Sequence, residues 1–588
     1  MREKLPQTTV ANQLAPLLRG QVVGIQPLHV QTIPLVHQIL QDVGFAGVVN
    51  GHCGDDGDVP VAKVVEALVH SRMQNSTPVP LYQMEEWFSK TILPNLLEVP
   101  SHKLNDVRLG RVLELLDPAA KAMWVQLVLQ VHKVYRLDLS LAIYDTSSVY
   151  VEGEYGDSDL LTFGYSRDKK PNCKQFNLGL DVTGADGVPL IYHVTPGNTE
   201  DSSTVPTNLQ DLQQLYRLLG ASHALCVLGD RAMLTTDYVH LYERANVNFI
   251  GSMRACGLNK AVLRSVSEEQ LLQHPLNYLA ERYQELPADK QEAERYWAVR
   301  TQVTIPASKE VEGSTALLLP VLVVLGAGKR RLDQQHRETL LTKTENRLDE
   351  IARYLNRGKY LKRTYAEGQI KKALSKYPAV KGMLVHEFAG DDGNLALTWS
   401  RVPSKINQAA ALDGRYAVYF RDDQLPDEEV FQRFKSRDRV EKRVDDIKGA
   451  GPVVTRPVFL HKDERIRGLV FVCMVALLVM AIEEMQVRRN LKQSVTGQKI
   501  QGVFGDFAAS LQTFTDRSQL VVMPTPNKWQ RQILASLGIQ LDTVAPVVVT
   551  SQWTQFGDAT EDKGCPWGYQ PKREPISPQS ESPSEPSG

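Results

Sequence analysis

Apolar residues recur at helical spacing through the first 135 residues, in "PLVHQILQDVG", "VAKVVEALVHSRM", "YQMEEWFSKTILPNLL" and "DVRLGRVLELL". That period predicts amphipathic helices and a helical N-terminal domain over 1–135. The texture changes at 139. "LSLAIYD", "FNLGLDV" and "VPLIYHV" read as three successive strands, the second and third joined by "TGADG", a hairpin-type turn. A helical stretch over 204–219 leads into "ALCVLGD", and "TTDYVHLYERA" leads into "VNFIGSM". A three-strand meander followed by helix, strand, helix and strand predicts an α/β (α+β) arrangement over 136–254, a mixed sheet with helices packed on it.

From 255 to 412 the pattern loosens into mixed helical and strand-like pieces such as "RYWAVRTQVTIP", "ALLLPVLVVLG" and "GMLVHEF". Residues 329–380 hold fourteen Lys or Arg against six Asp or Glu, so this region is locally basic. Such a run is either a solvated helical face or, in a DNA-binding chain, a backbone contact. Helical order returns over 425–449, opened by Pro426 and Asp427 and closed by Gly449, within a segment 413–485. The apolar window "LVFVCMVALLVMAI", 469–482, is too short to span a bilayer and predicts a core helix. Residues 486–569 form a C-terminal region, and 570–588, without apolar content, predict a disordered tail.

A chain of 588 residues is too long for one ordinary core, and 42% hydrophobic with 23% charged residues excludes wholesale disorder. The 67 basic and 68 acidic residues nearly cancel, so any polyanion binding must come from local patches. Six cysteines stand singly, with no C-x-x-C pair and no secretory leader, which reads as a reducing, cytoplasmic setting.

Two apolar runs end in a carboxylate, "LSLAIY" in Asp145 and "ALCVLG" in Asp230. Buried carboxylates are costly unless paired, and the rim of an open sheet is where sites collect. A lone strand-end Asp is more often a turn former or helix cap. A third acid lies on the helix predicted over 427–448, where Phe434, Arg437, Glu441 and Lys448 stand at offsets of 0, 3, 7 and 14. At about 100° per residue they fall within about 60° of one another on one stripe. The alternative is a solvated face with local ion pairs, because this stretch carries seven basic and seven acidic residues.

These residues match a pattern. Phe434, two residues, Arg437, three, Glu441, six, Lys448 resembles the Y-(2)-R-(3)-E-(6)-K signature of the insertion-sequence-4 superfamily of DDE transposases, with Phe in place of Tyr. "YDTSSVYVEGEY", "FGYSRDKKPNCKQFNLGL", "GVPLIYHVTPGNTEDSSTV", "LGDRAM" and "RPVFLHKDERIRGLVFVCMVALL" resemble that family's blocks in the same order, over roughly 20–540 of the chain. The helical N-terminal part resembles the longer-chain branch.

The resemblance implies an RNase H-like core interrupted by a large insertion over 255–412. It implies Asp145, Asp230 and Glu441 as catalytic metal ligands. An all-oxygen set suits two Mg2+ or Mn2+ ions rather than zinc. It implies Arg437, Lys448, Phe434 and Arg231 as DNA contacts, with the phenolic bond to phosphate lost at Phe434 at about 1–3 kcal/mol. Two ions suit cleavage of terminal inverted repeats and strand transfer into target DNA. By analogy, the N-terminal domain reads the ends and the C-terminal region builds a synaptic homodimer, in a bacterial or archaeal cytoplasm at the nucleoid and without a membrane. A catalytically silent DNA-binding relic or repressor, and an RNase H-like nuclease, are the competing readings.

Other signals carry less. "GHCGDDGD" at 51–58 lacks EF-hand spacing and a second zinc-type ligand, so it reads as a polar loop. "GAGKRR" at 326–331 lacks the first Gly of a phosphate loop and the Ser or Thr after Lys329. Ser147 and Ser148 read as local turn bonding rather than as nucleophiles.

Overall fold

The computed structural model describes residues 21–540, apart from 74–77, 232, 254–256, 281–282, 449–450, 454 and 457. The tail expected at 570–588 and the helix-closing role of Gly449 lie outside the described residues.

The strand pattern folds as one mixed sheet. Its strands are β1 (Ala142–Tyr150), β2 (Gln175–Thr183), β3 (Pro189–Pro196), β4 (Cys226–Gly229), β5 (Asn248–Gly251), β6 (Tyr296–Ile305), β7 (Leu317–Gly326) and β8 (Arg415–Phe420). Their order across the sheet is β3-β2-β1-β4-β5-β8-β7-β6. β1, β2 and β3 form the antiparallel meander, and β4 and β5 run parallel to β1. Parallel neighbours need crossovers. The helix Val205–Leu218 precedes β4, and the helix Thr236–Arg244 lies between β4 and β5. The order 3-2-1-4-5 with these crossovers is the expected RNase H-like arrangement.

β1 is longer than its apolar run. It continues past Asp145 to Tyr150, because Thr146, Ser147 and Ser148 stay in register with Gly179, Leu178 and Asn177 of β2. Asp145 is therefore inside a strand and not at its end. β4 pairs with β1 only over Ala142–Tyr144, so beyond that point β1 has no strand on its β4 side.

The region 255–412 supplies β6 and β7, which extend the sheet beyond β8, and then builds a small core of its own. Leu341, Leu348 and Ile351 of the helix Ala327–Tyr354 pack with Ile370 of the helix Arg363–Ser375 and with Leu384 and Leu397 of a two-stranded hairpin. Part of its basic excess is neutralised within the protein: Arg330 pairs with Glu268, Arg331 with Glu294, Arg337 with Asp413 and Arg363 with Glu367.

The charged stretch predicted as one helix over 427–448 is two, α1 (Asp427–Lys435) and α2 (Asp438–Lys448), parted at Ser436 and Arg437. Residues 440, 443, 444, 447 and 448 of α2 are buried, at i, i+3, i+4, i+7 and i+8, so this short helix has its own inward face. Its last carbonyls are capped from outside the helix: Thr455 Oγ1 donates to Ile447 O at 2.6 Å and Arg456 Nε to Lys448 O at 3.0 Å. α2 packs on β1 and β2.

α3 (Asp463–Leu491) contains the apolar window. By length and composition it alone among the described residues is long and apolar enough to cross a membrane, and 94% of that window is buried inside the protein. The helices Ile33–Asp42, Val61–Arg72 and Asp106–Tyr135 cover it, together with β3 and α2. At its crossing with Asp106–Tyr135 a Cβ on Gly468 would lie 2.2 Å from Leu113 O, so only glycine permits that approach.

Among the described residues, 21–28 and 508–524 belong to a second unit. Its described part is a three-stranded sheet of the Val22–His29, Ala508–Phe514 and Gln519–Val522 strands.

Candidate active site

The register of β1 and β4 decides where the two aspartates go. Tyr144 lies opposite Gly229, so the next residues of these parallel strands, Asp145 and Asp230, emerge side by side. Burial pushes the Asp145 carboxyl up to about 6, the charge of Asp230 adds to the rise, and Arg167 and Arg437 oppose it. Asp230, just past β4, is half-buried, and Arg231 beside it is exposed.

Glu441 comes to the same place on α2. Arg437, at the break before α2, ties it there: Nη1 donates to Asp230 Oδ1 at 2.9 Å and Nη2 to Glu441 Oε1 at 2.8 Å. One guanidinium thus spans two of the three predicted carboxylates. Asp145 also acts on the Arg437 charge.

The inward face of α2 holds this geometry. Arg443, two residues after Glu441 and buried, donates to Gly187 O at 2.8 Å and to Glu484 Oε2 of α3 at 2.6 Å, and pairs with Asp446. It locks α2 to the β2–β3 turn and to α3 while Glu441 faces solvent.

Phe434 stands elsewhere than the one-helix stripe places it, whereas Lys448 shares α2 with Glu441 but faces inward. Lys448 is buried, and its ammonium donates to Ser147 Oγ and to Asp168 Oδ1, each at 2.9 Å. Ser147 is therefore neither a turn former nor a nucleophile candidate but a partner of Lys448 on the face of β1 that also carries Asp145. Phe434 lies in the last turn of α1 rather than on the helix of Glu441. It is half-buried, its ring stacked on Tyr416 with centroids 5.9 Å apart.

Several residues beside Asp145 were not singled out from the sequence. Arg167 Nη2 donates to Thr146 Oγ1 at 2.9 Å and to Asp201 Oδ2 at 2.5 Å, and Thr146 Oγ1 donates to Asp201 Oδ1 at 2.7 Å. The hint was the density of polar residues in "SRDKKPN", but nothing local says that this loop folds back on β1.

Three carboxylates without nitrogen or sulfur donors are a fit in kind for Mg2+ or Mn2+. Among the described residues, no set of three or more His, Cys, Asp and Glu side chains is gathered closely enough to hold an ion. Arg437 supplies the positive charge between Asp230 and Glu441, so for an ion to be taken it must release at least one of them. A cleft of about 1490 Å³ runs past Glu428, Arg433, Lys435 and Arg439 and is not lined by the three carboxylates. His37, Glu66 and His70 form a separate buried cluster in the N-terminal helices.

Neither the models of known protein families nor the curated proteins include a match to this chain. Among solved structures, the cryo-EM structure of a piggyBac transposase synaptic complex with hairpin DNA is similar at a TM-score of 0.34 and 6% identity, over 82% of this chain and 81% of that one. A likeness so slight carries no argument about this chain.

Proposed function

We propose that the chain is a DDE transposase of the insertion-sequence-4 type, which binds the terminal inverted repeats of its element, cuts them and joins them to target DNA. The observation that supports this reading most is the bridging of Asp230 and Glu441 by Arg437 on the rim where Asp145 lies beside Asp230. An ion-pair cluster kept only for stability has little reason to hold an excess of carboxylates at a solvent-open rim.

In this reading Asp145, Asp230 and Glu441 hold two Mg2+ or Mn2+ ions. Bound there, such ions supply the charge that activates a water or a 3′-hydroxyl and steadies the leaving oxygen in an in-line displacement at phosphorus. The protein's share is placement. β1 and β4 fix the two aspartates side by side, and Arg443 fixes the helix that carries Glu441. Arg437, freed from its carboxylates, turns to a DNA phosphate, and exposed Arg231 lies beside the same path. Lys448 acts as a positioning residue, tying α2 to β1 through Ser147. The N-terminal helices and the C-terminal region take the roles of end recognition and synaptic dimerisation.

The test is end cleavage and strand transfer on labelled DNA carrying the element's own termini, with magnesium, for wild type, Asp145→Ala and Glu441→Ala. Wild type should cut and join while both variants bind the ends and do neither. Wild-type activity in either variant removes that residue from the site, and a wild type that binds without cutting is a DNA-binding relic.

A further inference from the structure

The connection between β1 and β2, residues 151–174, carries two large apolar side chains where none is needed for packing. Phe163 is 59% exposed and Tyr165 88% exposed, and they flank Gly164. The backbone between them is pinned: a Cβ on Gly164 would lie 1.9 Å from Gly197 O, so the loop presses directly on the chain that follows β3. Thr162 and Gln175 exchange backbone hydrogen bonds at 3.1 and 2.9 Å, and Gln175 Nε2 donates to Tyr165 O at 3.1 Å. Downstream, the Arg167 amide donates to Ser148 Oγ, and Asp168 accepts from Lys448. The two rings therefore project from a rigid base and not from a loose loop.

Charge decides what such a surface suits. Residues 163–174, "FGYSRDKKPNCK", hold four basic residues and one acid, Asp168, whose charge Lys448 already meets. Lys169 and Lys170 are exposed, while Arg167 is paired with Asp201. The acidic residues of the connection, Glu152, Glu154, Asp157 and Asp159, stand in its other half. Exposed rings followed by cations on a fixed base are what unpaired nucleotides need: bases stack on the rings, and phosphates meet the ammonium groups. A purely apolar partner would not account for the cations, nor a duplex backbone for the rings.

We infer that Phe163 and Tyr165 form a stacking platform for unpaired DNA bases, with Lys169 and Lys170 on the adjoining phosphates. Arg167 joins this platform to the strand of Asp145 through Thr146, so a strand gripped here lies beside the candidate active site. The inference rests on the DNA-processing reading and adds to it a grip on single-stranded DNA at the cleaved end.

The test uses the full chain and fluorescence anisotropy on an oligothymidylate of about twenty nucleotides and on a duplex of equal length. Phe163→Ala/Tyr165→Ala should weaken the single strand by about tenfold or more and leave the duplex within about twofold. Tyr165→Trp should keep single-strand affinity, and its emission should be quenched as the oligothymidylate is added. Unchanged single-strand affinity in the double variant, or equal loss on both DNAs, overturns the platform. So does a shift in oligomeric state on size exclusion with unchanged DNA affinity, which marks the rings as a contact between chains. If wild type cuts its ends while the double variant binds oligothymidylate normally, the platform alone falls. If wild type binds neither DNA, the functional reading falls with it.

Discussion

Arg437 donates a hydrogen bond to Asp230 over 2.9 Å, joining the residue that precedes α2 to the residue that follows β4 across 207 positions of sequence. The same side chain holds Glu441. One cation therefore serves two carboxylates, while Asp145 beside them is raised to about 6, chiefly by burial. Ionised at neutral pH, Asp145 opposes folding where no divalent ion offsets it.

Asp145→Asn should consequently be more stable than wild type in EDTA at pH 7.5, by about 1–3 kcal/mol, because it removes the penalised charge and keeps the shape. Thermal melts with and without manganese check this. Wild type should gain stability on adding manganese and Asp145→Asn should gain much less. An equal gain in both would place any ion elsewhere.

Lys448 is a buried charge whose two partners come from one side of the sheet, and its removal strands Asp168. Lys448→Met should cost about 3–5 kcal/mol, the range for breaking a buried pair by deleting one partner. A double-mutant cycle with Asp168→Asn in denaturant melts should return a coupling of about 1–3 kcal/mol. No coupling would mean that the ammonium is solvated in solution and free to reach phosphate directly.

Gly468 sets how closely α3 crosses the helix Asp106–Tyr135. Gly468→Ala places a methyl group 2.2 Å from Leu113 O, a backbone atom that cannot swing aside. The helices must separate, at about 1–3 kcal/mol or more, although alanine is the better helix former. A denaturation midpoint at or above that of wild type would show that the crossing relaxes freely.

Much of this architecture was legible in residue order. Strand runs ending at Asp145 and Asp230 were visible because buried strands are short apolar runs, and their adjacency follows from a single parallel register, Tyr144 opposite Gly229. The end of β1 was not visible, because Thr146, Ser147 and Ser148 look like a turn until Gly179, Leu178 and Asn177 pair with them. The break at Ser436 and Arg437 was hidden for a related reason: no Gly or Pro marks it, and the charged stretch keeps helical composition throughout. A single helical stripe therefore crosses two helices and misplaces Phe434. The burial of Lys448 depends on Ser147 and Asp168, 301 and 280 positions away, and no local pattern encodes that.

Glu483 offers the sharpest dependence on pH. It lies on α3 one residue beyond the apolar window, is wholly buried, and neither carboxyl oxygen has a hydrogen-bond partner. Burial, with a smaller contribution from Glu484, pushes its pKa up to about 8. An unfolded glutamate ionises near 4.3, so the folded protein keeps a proton that the unfolded chain releases. The stability associated with that proton is fully present below about pH 4.3 and is lost as pH rises through about 8, an effect of order 4 kcal/mol for so deep a site. Glu483→Gln carries no such proton. Its stability relative to wild type should rise steadily from pH 5 to pH 8, and urea titrations at several pH values measure the slope. A constant difference between the two proteins across that range would mean that water or an unseen partner reaches the carboxylate and lets it ionise at its ordinary pKa.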